Sequence, residues 1–321
     1  MSIGPTVSAI YVSWRDTDVL VRSLRRLREV AGDDEALEVV VVVNEATDDA
    51  TPAVESAWPG ATVIANEDNR GFGPACNQGA EAASGDILLF LNPDTLAEDG
   101  AVEQIRRAFV KHSRAIAVAP RLLDEGPAGE EDQRLFQLRR LPTLGADARE
   151  LLLFDRAVPG NRCRRWSRYL DEDRDRPFEV EQAAAAALAV RREVFKAVAG
   201  FDERFRPAYW EDVDLCLRLR RHGPILFWPA ARLAHVGGIA ASALGRRRFR
   251  RVYYRNALRY RDKHYAGPAA LAYRLLLTVG MAMRATITLL ASRRGTETSQ
   301  ELRGFLDVAG MAVRSTTWPR R

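Results

Sequence analysis

The sequence predicts an α/β protein: a doubly wound, mostly parallel sheet with helices on both faces, followed by a basic helical C-terminal appendage. Three observations carry that expectation. Short β-branched runs alternate with stretches of helical periodicity, one run is apolar without alternation, and positive charge is concentrated toward the C-terminus.

The first run, VSAIYVS from Val7 to Ser13, reads as a strand. The stretch after it places Leu20, Leu24, Leu27 and Val30 at helical spacing and stops at Gly32. Leu37 to Val43 carries five successive valines, and a strand apolar at every position is buried on both faces, as in a parallel sheet. Ala61 to Ala65 and Ile87 to Leu91 continue the series, with a helix from about Pro74 to Ala83 between them.

Ligands of such sheets bind beyond the carboxyl ends of the strands. Ser13 with Arg15, Asn44 with Glu45, Asn69 with Arg70 and Gly71, and Asn92 with Pro93 and Asp94 all follow strands or open the next helix. They are expected to collect along one edge. Pro93 has no N–H for a sheet ladder and stops its strand, leaving Asp94 at the rim. A turn or a helix N-cap also accounts for Asp94 taken alone.

A second polar group lies in PAYWEDVDLCLRLRRHG, from Pro207 to Gly223. On a helix Glu211, Asp214 and Arg218 share a face, and Asp214 and Arg218 have the spacing of an ion pair. Asp212 lies about 100° around from Glu211, at the positive end of that helix, where it suits either a dipole-stabilising carboxylate or a base.

Composition excludes several classes. Cys76, Cys163 and Cys216 lack CxxC or Cys/His spacing, so neither a disulfide framework nor a structural zinc site is expected, and a reducing cytosol fits best. The N-terminal stretch shows no secretory signal pattern. No GxGxxG follows a strand, against a dinucleotide dehydrogenase, and VSWRDTD lacks the glycine-rich phosphate loop of a nucleotide-sugar pyrophosphorylase.

Eight landmarks in order, VSAIYVSW, VVNEATDDAT, NRGFGPACNQGA, GDILLFLNPDT, RLLD, VRREVF, GFDERFRPAYWEDVDLCLRLRRHG and HVGG, resemble the family 2 inverting glycosyltransferases of GT-A fold, in their bacterial rhamnosyltransferase-like branch. The resemblance implies that Asp94 holds a divalent metal, Mg²⁺ or Mn²⁺, with His235 completing the site. It makes Asp212, beside Glu211, the catalytic base. It assigns the nucleotide-sugar donor to Ser13, Arg15, Asn44, Asn69, Arg70, Gly71, Asn77, Asn92 and Pro93, and the acceptor to Glu181, Tyr209 and Trp210. The leading donor by resemblance is dTDP-L-rhamnose, and the acceptor a glycan or a lipid-linked glycan of the cell envelope. The sequence departs from the family where Asn44-Glu45 stands for Asp-Asn and where Gln182 and Ala185 replace an aromatic residue and a glycine. A catalytically silent glycan- or nucleotide-binding relative is the alternative. A buried histidine closing ARLAHVGG is the structural account of His235.

The expected organisation is a catalytic domain over residues 1–245 and an appendage over 246–321. Within the first, 1–120 form the nucleotide-sugar-binding half, 121–180 a loop-rich insertion and 181–245 the acceptor and catalytic half. From Arg246 onward 17 Lys and Arg face 4 Asp and Glu, a net +13, which leaves −8 on the preceding residues. Between Gly245 and Tyr265 arginines interleave with aromatic residues, a pattern that suits the anionic inner face of the cytoplasmic membrane or nucleic acid; the preceding domain, reading as a sugar-nucleotide enzyme, favours the membrane and no nucleic acid. Arg274 and Arg284 interrupt the apolar stretch after Pro268, against a membrane span, leaving a packed helix, an oligomer interface or an interfacial helix.

Overall fold

The computed structural model describes residues 4–45, 50–124, 133–158, 160–237, 244–291 and 296–314. Residues 46–49 of VVNEATDDAT, most of the acidic run after Asp124 and Gly238 of HVGG lie outside them. Two compact units emerge: Met1–Leu141 with Arg168–Pro207 and Glu211–Gly237, and Pro142–Ser167 with Ala208–Trp210 and Gly238–Arg321. This division departs from the expected one, because Pro142–Ser167 and Ala208–Trp210 group with the C-terminal helices.

The first unit begins with β1 (Val7–Ser13), α1 (Thr17–Ala31), β2 (Leu37–Asn44), α2 (Ala50–Ala57), β3 (Thr62–Asn66), α3 (Phe72–Ala82) and β4 (Ile87–Leu91). Apart from α2, which the sequence reading did not identify, these match the elements read from the sequence to within two residues. Next come β5 (Thr95–Ala97), α4 (Ala101–Lys111), β6 (Ala117–Asp124), α5 (Arg134–Gln137) and β7 (Leu138–Arg139). The unit ends with β8 (Phe178–Val180), β9 (Gln182–Ala183), β10 (Ala187–Arg191), α9 (Arg192–Ala197), α10 (Glu211–Leu219) and β11 (Ile225–His235).

The strand order is β3-β2-β1-β4-β10-β6-β11-β5, with β8 also on β11. The valines of β2 explain its central depth: Val39, Val41 and Val43 enter one apolar cluster and Val40 and Val42 the other, one on each face of the sheet. β10 runs antiparallel between β4 and β6, pairing Leu188 with Phe90 and Ala189 with Val118. It interrupts a parallel series, entering at the carboxyl ends of its neighbours, where Ala187 pairs with Leu91, and running toward their amino ends. Helices can approach this sheet closely where side chains are missing; a Cβ on Gly79 of α3 would fall 2.5 Å from Ile10 Cγ2.

The second unit holds α6 (Leu144–Leu151), α7 (Phe154–Ala157), α8 (Arg162–Ser167), α11 (Arg246–His264), α12 (Gly267–Ala291) and α13 (Thr296–Arg314). Arg261 of α11 is buried at its centre. Its guanidinium lies 4.1 Å from the Trp210 ring centroid and 4.2 Å from that of Tyr273, and donates through Nε and Nη2 to Asp147 of α6. Tyr265 Oη donates to the Pro142 carbonyl at 3.0 Å and to Asp147. These contacts draw Pro142–Ser167 and Trp210 into the helical unit, a long-range pairing that charge and periodicity alone do not announce. Asp147→Ala strands a buried guanidinium, so it is expected to destabilise this unit by about 3 kcal/mol or more, read as a lower denaturation midpoint; a surface-like loss below about 1 kcal/mol would show the pair to be dispensable.

Candidate active site

Sheet register brings the first pair of chemical groups together. β5 pairs antiparallel with β11, setting Thr95 opposite His235, and the Val236 N–H donates to the Asp94 carbonyl at 3.1 Å. Asp94 and His235 are both buried, at 6% and 2% exposure. Asp94 Oδ2 accepts from the Gly237 N–H at 3.1 Å, and Asp94 Oδ1 stands 3.3 Å from His235 Nε2.

The imidazole is held in one tautomer by Gln133, a residue the sequence reading did not single out. Gln133 Nε2 donates to the His235 carbonyl at 2.8 Å and to the Asp124 carboxylate, and both partners only accept. That turns Gln133 Oε1 toward His235 Nδ1, 2.7 Å away, and makes Nδ1 the protonated nitrogen. In the neutral ring the lone pair is then on Nε2, which is buried and has no hydrogen-bond partner. The Phe136 ring stacks on the imidazole at 5.6 Å.

Two buried lone-pair atoms facing each other at this distance fit a divalent cation. Neighbouring ligands of an octahedral ion at about 2.1 Å stand about 3 Å apart, and a site with few protein ligands leaves positions for diphosphate oxygens and water. Among the described residues no group of three His, Cys, Asp or Glu is gathered for a metal. Asp94 and His235 are the pair able to hold one.

The second pair opens α10. Glu211 is buried, its Oε2 has no partner, and burial together with the charge of Asp212 pushes its carboxyl well above the ordinary range. Burial raises Asp212 as well, but the backbone N–H groups of Val213 and Ala185 and the positive charge of Arg139 favour its ionised form. Glu211 therefore takes the proton first, and Asp212 is the member left ionised. Gln182 Nε2 lies 3.3 Å from Asp212 Oδ2, and the neighbouring Ala186 carbonyl accepts from the Asn92 N–H at 2.9 Å. The chain entering β10 thus carries bonds from both the Asp94 loop and Asp212.

Asp16, also absent from the sequence reading, caps this edge. It accepts from Ser13 Oγ at 2.5 Å and the Trp14 N–H at 3.0 Å, while burial and the nearby charge of Asp94 push its carboxyl upward. Arg15 and the Trp14 indole N–H both bind Glu45.

Several residues expected at the donor have structural tasks here. Asn44 donates to the Asn69 side chain and the Gly71 carbonyl and accepts from the Arg70 N–H and Asn66. All four of its bonding positions are used within the protein, so Asn44, expected at the nucleotide, holds the loop between β3 and α3. Asn69 Oδ1 also accepts from the Gly71 N–H at 2.8 Å. Gly71 has φ 96°, and a Cβ there would meet the Pro207 carbonyl at 3.0 Å. Asn77, also expected at the donor, bonds both polar groups of the Phe201 backbone at 2.8 and 2.9 Å.

Ser13 and Asp94 lie buried, Asn92 and Pro93 half-buried and Arg15 and Arg70 at the surface of the same edge. Glu181 ion-pairs with Arg140 at 3.0 Å and accepts from the Leu141 N–H, and it lines a separate cleft with Tyr169, Arg220 and Ile225. Tyr209 and Trp210 belong to the helical unit, where Tyr209 packs on Phe249 and Trp210 on Tyr260. Asp214 is fully buried, and Arg218 bonds it and the Val198 and Gly200 carbonyls, the structural half of the expectation for this helix.

The raised Glu211 makes a stability test. A carboxyl with a higher value folded than unfolded holds its proton longer in the fold, so stability is lost as pH rises above the unfolded value. Glu211→Gln removes that loss. Its midpoint relative to wild type is expected to improve steadily from pH 5 to pH 8 in thermal scans; a pH-independent difference would show Glu211 to ionise freely.

The sequence profile described as glycosyl transferase family 2 matches residues 8–195. The N-acetylglucosaminyl-diphospho-decaprenol L-rhamnosyltransferase of Mycobacterium tuberculosis (strain ATCC 25618 / H37Rv) is 28% identical over 213 residues, 62% of this chain and 66% of that protein, so the match falls just short of two thirds of its length. The succinoglycan biosynthesis protein ExoO of Rhizobium meliloti (strain 1021) is 34% identical over 147 residues, 44% of this chain and 40% of ExoO. In fold, the chain is similar to the mannosyltransferase PcManGT from Pyrobaculum calidifontis, solved with GDP-Man and Mn²⁺, at TM-score 0.58 and 15% identity over 98% of this chain and 88% of that one. With a profile match across more than half its length, over the strands and loops that carry Asp94, the chain belongs to glycosyl transferase family 2.

Proposed function

We propose that the chain is a metal-dependent inverting glycosyltransferase that moves a hexose, with L-rhamnose from dTDP-L-rhamnose as the leading donor, to a glycan or lipid-linked acceptor in cell-envelope polysaccharide synthesis at the inner face of the cytoplasmic membrane. The observation that carries it is the buried Asp94–His235 pair, with an unpartnered Nε2, on the same sheet edge as the Glu211–Asp212 pair. The relatives' names support rhamnosyl transfer to a diphospholipid-linked sugar and polysaccharide synthesis, and the Mn²⁺ of the structural neighbour supports a divalent ion.

Asp94 and His235 are the residues to hold Mg²⁺ or Mn²⁺. Such an ion supplies Lewis-acid stabilisation of the charge that develops on a leaving nucleoside diphosphate. Asp212 supplies the base. It takes the proton of the acceptor hydroxyl while that oxygen bonds the anomeric carbon, and the electrons of the breaking sugar–phosphate bond leave on the diphosphate. One displacement inverts the anomeric centre. Glu211, protonated against Asp212, avoids a second negative charge beside the base.

Screening nucleotide sugars with Mg²⁺ and Mn²⁺ for released nucleoside diphosphate tests this reading. Release from no donor would leave a silent binding module. Asp212→Asn is expected to bind donor as wild type does and to lose about 10²-fold or more in turnover; unchanged turnover places the base elsewhere. Because burial raises Asp212, the acid limb of wild-type activity should lie above the ordinary carboxylate range, and a limb within that range would count against the assignment.

Removing the metal ligands gives a second test. Asp94→Ala should abolish the Mn²⁺ dependence of nucleoside diphosphate binding in calorimetry. Gln133→Leu leaves both ligands in place but frees the imidazole to change tautomer, and should weaken Mn²⁺ binding about 10-fold. Wild-type affinity in both variants would refute the site.

A further inference from the structure

The helical unit carries a surface that the catalytic reading does not use. Of the seventeen large apolar side chains exposed among the described residues, thirteen belong to this unit. On α12 Leu271, Leu275, Val279, Met283, Ile287 and Leu290 recur every three or four residues, from 36% to 84% exposed, along the whole helix. Such spacing keeps them on one broad face.

The two arginines of α12 do not interrupt that face. Arg274 is buried and doubly bonded to Asp262 at 2.7 and 2.8 Å. Arg284 donates to the carbonyls of Gly280 and Glu150 at 2.9 Å and to that of Leu151. The helix contains no Asp or Glu, and the Thr286 hydroxyl bonds back to Ala282, so every exposed residue from Leu271 to Ala291 is uncharged. Length and mean hydropathy, 1.4 over its apolar window, would suit a membrane span. The inward arginines, anchored in the same unit, instead suit a helix lying in the interface with only its outer face in contact with lipid.

Charge selects the lipid. The helical unit holds 22 Lys and Arg against 7 Asp and Glu, a net +15 that leaves −10 of the chain's +5 on the first unit. Five of the seven acids are already in ion pairs, Asp147, Asp155, Asp262, Glu301 and Asp307. Arg248, Arg251 and Arg255 are exposed at i, i+3 and i+7 on α11.

We propose that the helical unit docks peripherally on an anionic lipid bilayer, with the apolar face of α12 inserted at the interface and the surplus arginines on the headgroups. The lipid-linked acceptor gives this docking a purpose, but the docking is measurable without turnover.

The test uses the full chain with phosphatidylglycerol-containing and pure phosphatidylcholine vesicles across a salt series. Wild type should co-sediment with the anionic vesicles, more weakly as salt rises but not to zero, since apolar insertion is insensitive to screening. Leu275→Glu with Ile287→Glu, both at exposed positions, should keep wild-type circular dichroism and nucleoside diphosphate release while losing about 100-fold in partitioning. Arg248→Glu with Arg251→Glu should lose the preference for anionic vesicles. Absence of vesicle binding by wild type, or undiminished binding by the Leu275/Ile287 variant, overturns the proposal. A dimer that the same variant splits, with no vesicle binding, assigns the face to a second copy and overturns it equally. Sugar transfer without vesicle binding would remove this inference and leave the proposed activity standing.

Discussion

Collecting negative charge at one edge of a sheet is the constraint around which the first unit is arranged. Asp16, Glu211 and Asp212 sit where burial and neighbouring charge penalise ionisation, and Asp94 is buried on the same edge. The fold answers each differently. Asp16 has the Ser13 hydroxyl and Trp14 N–H, Asp94 the Gly237 N–H, and Asp212 two backbone N–H groups with a distant arginine, while Glu211 has an unpartnered oxygen. Asp16, Glu211 and Asp212 thereby acquire different proton affinities, a requirement for one of them to act as a base.

Holding these groups in place takes more polar side chains than the groups themselves. The amides of Asn44, Asn66, Asn69 and Gln78 form one connected network that fixes the loop between β3 and α3. Gln133 does the same for His235 by spending its own donors on acceptors that cannot reciprocate. In both cases amides bonded at both their oxygen and nitrogen ends, or tied into such a network, are held in place by protein neighbours. Positioning costs the chain no charge, which matters at an edge already crowded with carboxylates.

The helical unit reverses the usual arrangement of side chains. Arg261 and Arg274 are inside, paired with Asp147 and Asp262, and leucine, isoleucine and valine are outside on α12. Cation–π contacts make the interior tolerable for Arg261, whose guanidinium lies between Trp210 and Tyr273. An apolar exterior on a strongly basic unit is a combination water alone does not reward.

The strands from Val7 to Leu91 were legible because a strand buried on both faces must be apolar at every position, and that leaves a contiguous record in the chain. Motifs singled out Asp94, Glu211, Asp212 and His235 as candidates, and helical spacing made the Asp214–Arg218 pair legible. Whether Asn44 faces ligand or loop was not, since bonding capacity is settled by neighbours 22 to 27 residues away. Nor was Gln133, which sits in a charged run and acts on a histidine 102 residues later. The arginines of α12 show the limit most plainly. By sequence they interrupt an apolar segment; tertiary packing turns them inward because each finds acceptors in the unit, and only then does an uninterrupted apolar face exist. Periodicity is a local property of the chain and can be read from it, whereas hydrogen-bond partnership and the direction a side chain faces depend on which distant segments meet, and the fold alone decides that.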